Sequence, residues 1–237
     1  MKNININSNL TALVLCGGKG ERLYPITKKI PKPLVKLKKK EILSYLIDHL
    51  RYCGIKDIII ASGYKHKLLK NFVRKKYKSK NIKIINSGIN TEIIKRVEKI
   101  LKYSKNNLLI CYGDTLANIN IKKLYKYHTL HKYPVTISSF QVKSNFGILK
   151  INKNNIINSY IEKPYLNIWF NIGYMIFSKK IFSFFSKFSR FEILLKYLVK
   201  NSKIKSFKHR GLHITINTLK ELQEANREVG DFEKKNK

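Results

Sequence analysis

Residues Thr11–Cys16 read Thr-Ala-Leu-Val-Leu-Cys and run straight into Gly17-Gly18. A short continuous apolar run closed by glycines predicts a buried strand feeding a tight loop. The same unit recurs downstream. Glu41–Tyr52 places Ile42, Leu43, Leu46, Ile47 and Leu50 at helical spacing. Lys56–Ala61 reads as a strand and His66–Tyr77 as a helix with Leu68, Leu69, Phe72 and Val73 on one face. Ile82–Ile85 reads as a strand, Glu92–Tyr103 as a helix and Leu108–Tyr112 as another buried strand. Strands alternating with helices predict an α/β fold whose central sheet is mostly parallel, with helices on both faces.

The second half changes character. Pro134–Val142, Gly147–Ile151, Ile156–Ile161 and Phe170–Phe177 are closely spaced strand-like segments, expected as antiparallel additions to the sheet. Ile181–Phe185 and Phe191–Lys200 read as helical, Ile204–Phe207 and Leu212–Ile216 as strands, and Thr218–Val229 as a last helix. No repeat or linker divides the chain, so residues 1–230 are expected to form one domain. Asp231–Lys237 is expected to be a charged, disordered tail.

Composition narrows the partners. The chain has 237 residues, 49 Lys+Arg against 14 Asp+Glu, and a formal net charge of +35. A polyanion partner is one reading of that excess. The lysines are spread along the whole chain, however, and Arg, the main reader of base edges, is scarce. General over-use of Lys, Asn and Ile therefore accounts for the charge, and no specific nucleic acid is expected. The three cysteines, Cys16, Cys53 and Cys111, follow no metal-ligand spacing and are odd in number, which points to small core thiols in a reducing compartment. Met1–Leu10 lacks the apolar stretch of a signal peptide, and Ile168–Phe177 is too short to span a bilayer. A cytoplasmic protein without a membrane partner is the expectation.

In open α/β sheets, ligands bind beyond the carboxyl ends of the strands. That rule selects two loops. Cys16-Gly17-Gly18-Lys19-Gly20-Glu21-Arg22-Leu23 offers glycine N–H groups and two cations to a phosphate. Its spacing matches neither the dinucleotide fingerprint nor the P-loop, and a plain glycine turn fits it as well. Downstream, Pro31-Lys32-Pro33-Leu34 fixes the backbone on both sides of Lys32. The second loop, Tyr112-Gly113-Asp114, sets one of the few carboxylates at a strand end. It could hold Mg²⁺, or it could cap a turn.

Taken together, these segments resemble the sugar-phosphate nucleotidyltransferase family, and within it the glucose-1-phosphate cytidylyltransferase branch. The resemblance runs from about Ala12 to Val229. Leu15–Leu23 followed by Pro31–Leu34 is similar to the family's signature loop, and Tyr112-Gly113-Asp114 to its metal-binding strand end. Phe146-Gly147, Glu162-Lys163-Pro164 and Asn171-Ile172-Gly173 resemble the sugar-phosphate side. Two departures stand out. The second metal position, commonly Asp-Thr, reads Asn217-Thr218. The segment Asn86–Val97 matches the cytidylyltransferase pattern at Ser87–Thr91 and Lys95–Val97 but lacks a Thr-Gly-Gly-Arg stretch between them.

The resemblance implies a Rossmann-like three-layer sandwich, of the nucleotide-diphospho-sugar transferase type. It implies that a sugar 1-phosphate attacks the α-phosphorus of a nucleoside triphosphate, CTP favoured, giving a nucleotide-sugar for cell-surface polysaccharide and pyrophosphate. The nucleophile is already ionised at neutral pH, so positioning and charge neutralisation suffice. The residues so implied are Arg22, Lys32 and Asp114 in catalysis, with Asp114 and Asn217 on Mg²⁺. Leu15, Gly17, Gly18, Gly20, Thr91 and Gly113 fall to the nucleotide, and Glu162, Lys163, Asn171 and Gly173 to the acceptor. His213, without a second histidine at ligand spacing, is read as structural. A silent relative that binds without turnover and a thymidylyl-, uridylyl- or guanylyltransferase of the same fold stay open, as does assembly into a homo-oligomer.

Overall fold

A computed structural model describes residues 6–234 of the chain. Seven strands form its central sheet: β1 (Leu10–Cys16), β2 (Ile58–Ser62), β3 (Ile82–Asn86), β4 (Asn107–Tyr112), β5 (Val135–Lys143), β6 (Tyr165–Ser178) and β7 (Ile204–His209). They lie in the order β7-β5-β6-β4-β1-β2-β3. Only β6 is reversed, pairing antiparallel with both β4 and β5. The expected mostly parallel α/β sandwich is therefore present.

Burial explains the pattern. Side chains alternate across a strand, so Ala12, Val14 and Cys16 of β1 face one core and Leu13 the other. The first core is covered by α1 (Ile42–Tyr52), α2 (His66–Lys76), α4 (Ile121–Leu130) and α6 (Leu219–Lys234). The second is covered by α3 (Ile93–Leu101) and α5 (Phe191–Lys200). In α1, Leu43, Leu46, Ile47 and Leu50 are fully buried, each contributing roughly 1.5–3 kcal/mol of transfer free energy. All three cysteines are free and buried, and burial pushes the thiols of Cys16 and Cys111 far up. Among the described residues, no helix is long and apolar enough to cross a membrane.

Two expectations need correction. Ile148–Ile151 and Ile157–Ile161 do not extend the sheet; they pair with each other as a separate antiparallel ribbon. Neither strand buries a residue; Leu149, Ile151, Ile157, Tyr160 and Ile161 stay exposed instead of packing on the core. The strand read at Leu212–Ile216 is present as His213–Thr215, paired with Thr115–Ala117 outside the sheet. The final helix does not stop at Val229 but continues through Lys234. Phe232 is 2% exposed, with its ring 5.5 Å from that of His49 and 6.2 Å from that of Tyr45. An aromatic anchor thus holds the first part of the expected charged tail; residues 235–237 lie outside the described residues.

Candidate active site

The carboxyl ends of β1 and β4 are neighbours in the sheet, and the two loops selected above meet there. After β1, Thr27 Oγ1 donates to the Gly20 carbonyl at 2.7 Å, and a single 3₁₀ turn, Glu21–Leu23, sets Arg22 toward the cleft. Lys32 begins another 3₁₀ turn, Lys32–Leu34, with Pro31 extended before it and Pro33 buried within it. The Gly113 N–H donates to the Leu15 carbonyl at 3.0 Å and ties the two strand ends together.

Asn217 arrives from the far end of the chain. The ribbon sets Thr115 opposite Thr215, and the Ile216 N–H donates to the Asp114 carbonyl at 3.1 Å. Thr218 and Glu221 then form a reciprocal cap on α6. The Glu221 N–H donates to Thr218 Oγ1 at 3.2 Å, and the Glu221 carboxylate accepts from the N–H groups of Thr218 and Asn217. A residue so braced has its side chain aimed by its backbone.

The result is a four-residue polar centre. Lys32 Nζ donates to Asp114 Oδ2 at 2.6 Å and to Asn217 Oδ1 at 3.1 Å, and Arg22 Nη2 donates to the same Asn217 oxygen at 2.9 Å. It lies where two adjoining cavities of about 540 and 850 Å³ share a wall formed by Leu15, Gly18, Arg22, Asn90, Asp114 and Asn217. Burial, and after it the charge of Asp114, raises the Tyr112 phenol above its ordinary range.

A metal can be tested against this donor set. Asp114 Oδ2 and Asn217 Oδ1 both accept from one ammonium, so both are within reach of a single cation. Among the described residues there is no cluster of three or more His, Cys, Asp or Glu that could hold a metal. One carboxylate and one amide oxygen, with substrate oxygens completing the shell, suit a hard cation such as Mg²⁺.

Most expected site residues converge here. Gly20 and Gly113 line the smaller cavity, Gly17, Thr91 and Asn171 the larger, and Leu15, Gly18, Arg22, Asp114 and Asn217 both; Lys32 lines the smaller. Three do not line either cavity. Glu162 and Lys163 lie past the Ile148–Ile161 ribbon, both exposed, with Lys163 Nζ 3.6 Å from Glu162 Oε1. Gly173, at φ +77°, makes room for a ring: a Cβ there would come within 2.6 Å of Tyr112.

Other cleft residues had no role assigned from sequence. His213, read from sequence as structural, also lines the larger cavity. It packs in an aromatic cluster, 5.3 Å from Phe140 and 5.4 Å from Phe170. Burial, reinforced by His209, lowers its imidazole to about 4, so it is neutral at physiological pH. The signal was present: residues 213, 215 and 217 alternate along an extended segment and so share a face. Arg96 is the second such residue. It is buried on α3, where desolvation lowers its pKa below the ordinary guanidinium range.

An α/β cleft lined by a glycine loop, with this polar centre at the strand ends, defines a class, and comparison with known proteins agrees. The profile of the family described as "Nucleotidyl transferase" matches residues 11–202, and the chain belongs to that family. It is 28% identical over 243 residues to a Bacillus subtilis protein named as a probable glucose-1-phosphate cytidylyltransferase, covering 92% of this chain and 95% of that one. It is 29% identical over 194 residues to a D-glycero-alpha-D-manno-heptose 1-phosphate guanylyltransferase of Campylobacter jejuni, covering 78% and 85%. The crystal structure of HddC from Yersinia pseudotuberculosis superposes with a TM-score of 0.72 at 25% identity, covering 92% and 99%.

Proposed function

We propose that this enzyme condenses a nucleoside triphosphate, CTP first among them, with a sugar 1-phosphate, giving a nucleotide-sugar and pyrophosphate. The observation that carries the reading is the convergence of Lys32, Arg22, Asp114 and Asn217 on a glycine-lined cleft. In this reading the glycine loop holds the triphosphate against its backbone. Arg22 draws charge from the departing pyrophosphate, and Lys32 steadies the two phosphates as they approach. Asp114 and Asn217 would hold Mg²⁺, which when bound supplies charge neutralisation at the α-phosphate. Asn171, which lines the larger cavity, would face the acceptor, with Lys163 anchoring the sugar phosphate and Glu162 accepting hydrogen bonds from its hydroxyls. The preference for CTP rests on the Ser87–Thr91 and Lys95–Val97 match and on the Bacillus relative; guanylyltransferases among the relatives make GTP its competitor. A cytoplasmic role in making surface polysaccharide follows from the same reading.

Asn217 motivates a second reading, a relative that binds a nucleotide without turning it over, because an amide stands where a second carboxylate is usual. Pyrophosphate release with Mg²⁺, five nucleoside triphosphates and a panel of sugar 1-phosphates decides between them. Release requiring one triphosphate and one sugar phosphate together establishes the transferase. Triphosphate binding without release, unchanged by Asn217→Asp, establishes the silent relative.

A further inference from the structure

Arg96 is 5% exposed, and its hydrogen bonds go to neutral oxygens. Its Nη1 donates to Ser87 Oγ at 2.7 Å and to the Gly88 carbonyl at 2.6 Å. Its Nη2 donates to the Ile89 carbonyl at 2.7 Å and to the Gly17 carbonyl at 3.3 Å. One guanidinium therefore joins the glycine loop after β1 to the loop after β3. The fit is tight. A Cβ on Gly17 would lie 1.8 Å from Arg96 Nη1, and one on Gly63 would lie 2.8 Å from the same atom.

The orientation of those carbonyls has a consequence for the cleft. In a trans peptide the N–H points opposite to the C=O of the same plane. Turning the carbonyls of Gly17, Gly88 and Ile89 onto Arg96 turns the N–H groups of Gly18, Ile89 and Asn90 away from it. None of these three N–H groups has a hydrogen-bond partner among the described residues. All three residues line the larger cavity. Unpaired backbone donors at a cavity wall are sites for acceptor atoms of a ligand.

We propose that Arg96 is the positioning residue of the nucleotide site, holding the N–H groups of Gly18, Ile89 and Asn90 as a preset row of donors for the nucleotide's phosphate and base oxygens. This rests on the nucleotidyltransferase reading. A planar fork of donors is required, because one group must reach carbonyls on two loops at once; an ammonium is a single point on a flexible stem. Arg96 touches the loops and acts on the nucleotide through them.

The test compares wild type with Arg96→Lys and Arg96→Met. The triphosphate KM should rise about tenfold or more, the size expected for losing one or two charge-assisted contacts. The kcat and the sugar-phosphate KM should stay within about threefold, a split that simple destabilisation would not give. Thermal melting checks that each variant is folded; should Arg96→Met not fold, Arg96→Lys decides alone. A triphosphate KM unchanged in Arg96→Lys, or kcat and both KM values falling off together, overturns the proposal. If wild type shows no turnover with any pair, the function reading fails separately, and equilibrium dialysis with CTP and GTP takes over. Weaker binding by the variants then sustains the positioning role; equal binding, or none by wild type, overturns it.

Discussion

Lys32 Nζ sits 2.6 Å from Asp114 Oδ2, bridging 82 residues of sequence, with the lysine side chain 12% and the carboxylate 31% exposed. Both groups are partly withdrawn from water, so desolvation offsets much of their attraction and the pair adds little net stability. Its two members nevertheless have separate tasks in the proposed reaction, one on the phosphates and one on the metal.

Asp114→Asn keeps the shape and removes the charge. Pyrophosphate release should fall on the order of 10²–10³-fold, with the melting temperature lowered by only a few degrees. Release at the wild-type rate in a folded variant would remove Asp114 from the chemistry.

The two adjacent glycines of the loop should behave differently. A Cβ at Gly17 collides with Arg96, whereas one at Gly18 meets nothing within 4 Å. Gly17→Ala should therefore lower the melting temperature by several degrees and weaken triphosphate binding, since Arg96 must leave its carbonyls. Gly18→Ala should melt as wild type does. Equal melting temperatures for both would show that the guanidinium is not seated as described.

The histidines at the end of α4 make stability depend on pH. The Tyr133 N–H donates to His131 Nδ1 at 3.2 Å, so His131 donates from Nε2 to Thr136 Oγ1 at 2.9 Å. The Thr136 hydroxyl is then free to donate to His128 Nδ1 at 2.7 Å, and His128 Nε2 donates to Ser178 Oγ at 3.0 Å. Both rings are neutral in this chain of bonds. Burial, with His131 adding to it, takes His128 from its ordinary 6.5 down to about 4. Because the folded value is the lower one, the stabilisation is complete above 6.5 and is lost as pH falls toward 4. The loss reaches as much as about 3 kcal/mol. Melting temperatures measured from pH 8 to 4 should decline over that window, and the His128 imidazole should titrate near 4 by NMR. A midpoint at 6.5 would contradict the network.

Phe232 offers a test far from the cleft. Phe232→Ala removes a fully buried ring from between Tyr45 and His49 and should cost about 3–5 kcal/mol. The variant's urea midpoint should drop accordingly, with little change in substrate KM. A midpoint equal to wild type would mean that the helix end is not anchored there.

Much of this arrangement could be read in the chain, and the gaps have physical causes. The β-α alternation through Tyr112 was legible because β1, β2 and β4 are largely buried apolar runs and the helices between them bury one face. Helix α4 was not assigned: its buried stripe is Ile121, Leu124, Tyr125 and His128, half of it polar-tipped, among lysines. Its clearest sign is Asn120, whose side chain accepts from the Lys123 N–H at 2.9 Å. The polar centre of the cleft was legible where loop chemistry is local, as at Lys32 between its prolines. Arg96 was legible only within the Lys95–Val97 match, not as the tie between two loops, because three of its four partners are backbone carbonyls, which carry no residue-type signature.

The reversed strand β6 is fixed along one half and open along the other. Tyr174–Ser178 is hydrogen-bonded to β4 as well as β5, while Tyr165–Asn171 has only β5 beside it, with irregular register on either side of the Trp169–Asn171 stretch. Met175 and Phe177 are locked in the core, but Phe170 and Asn171 border the cavity. A single strand thus carries a section held on both sides and a section held on one. In the proposed reaction, substitutions in the singly held section would alter the acceptor side while the doubly held section stays in the core, so one substrate can change without the other.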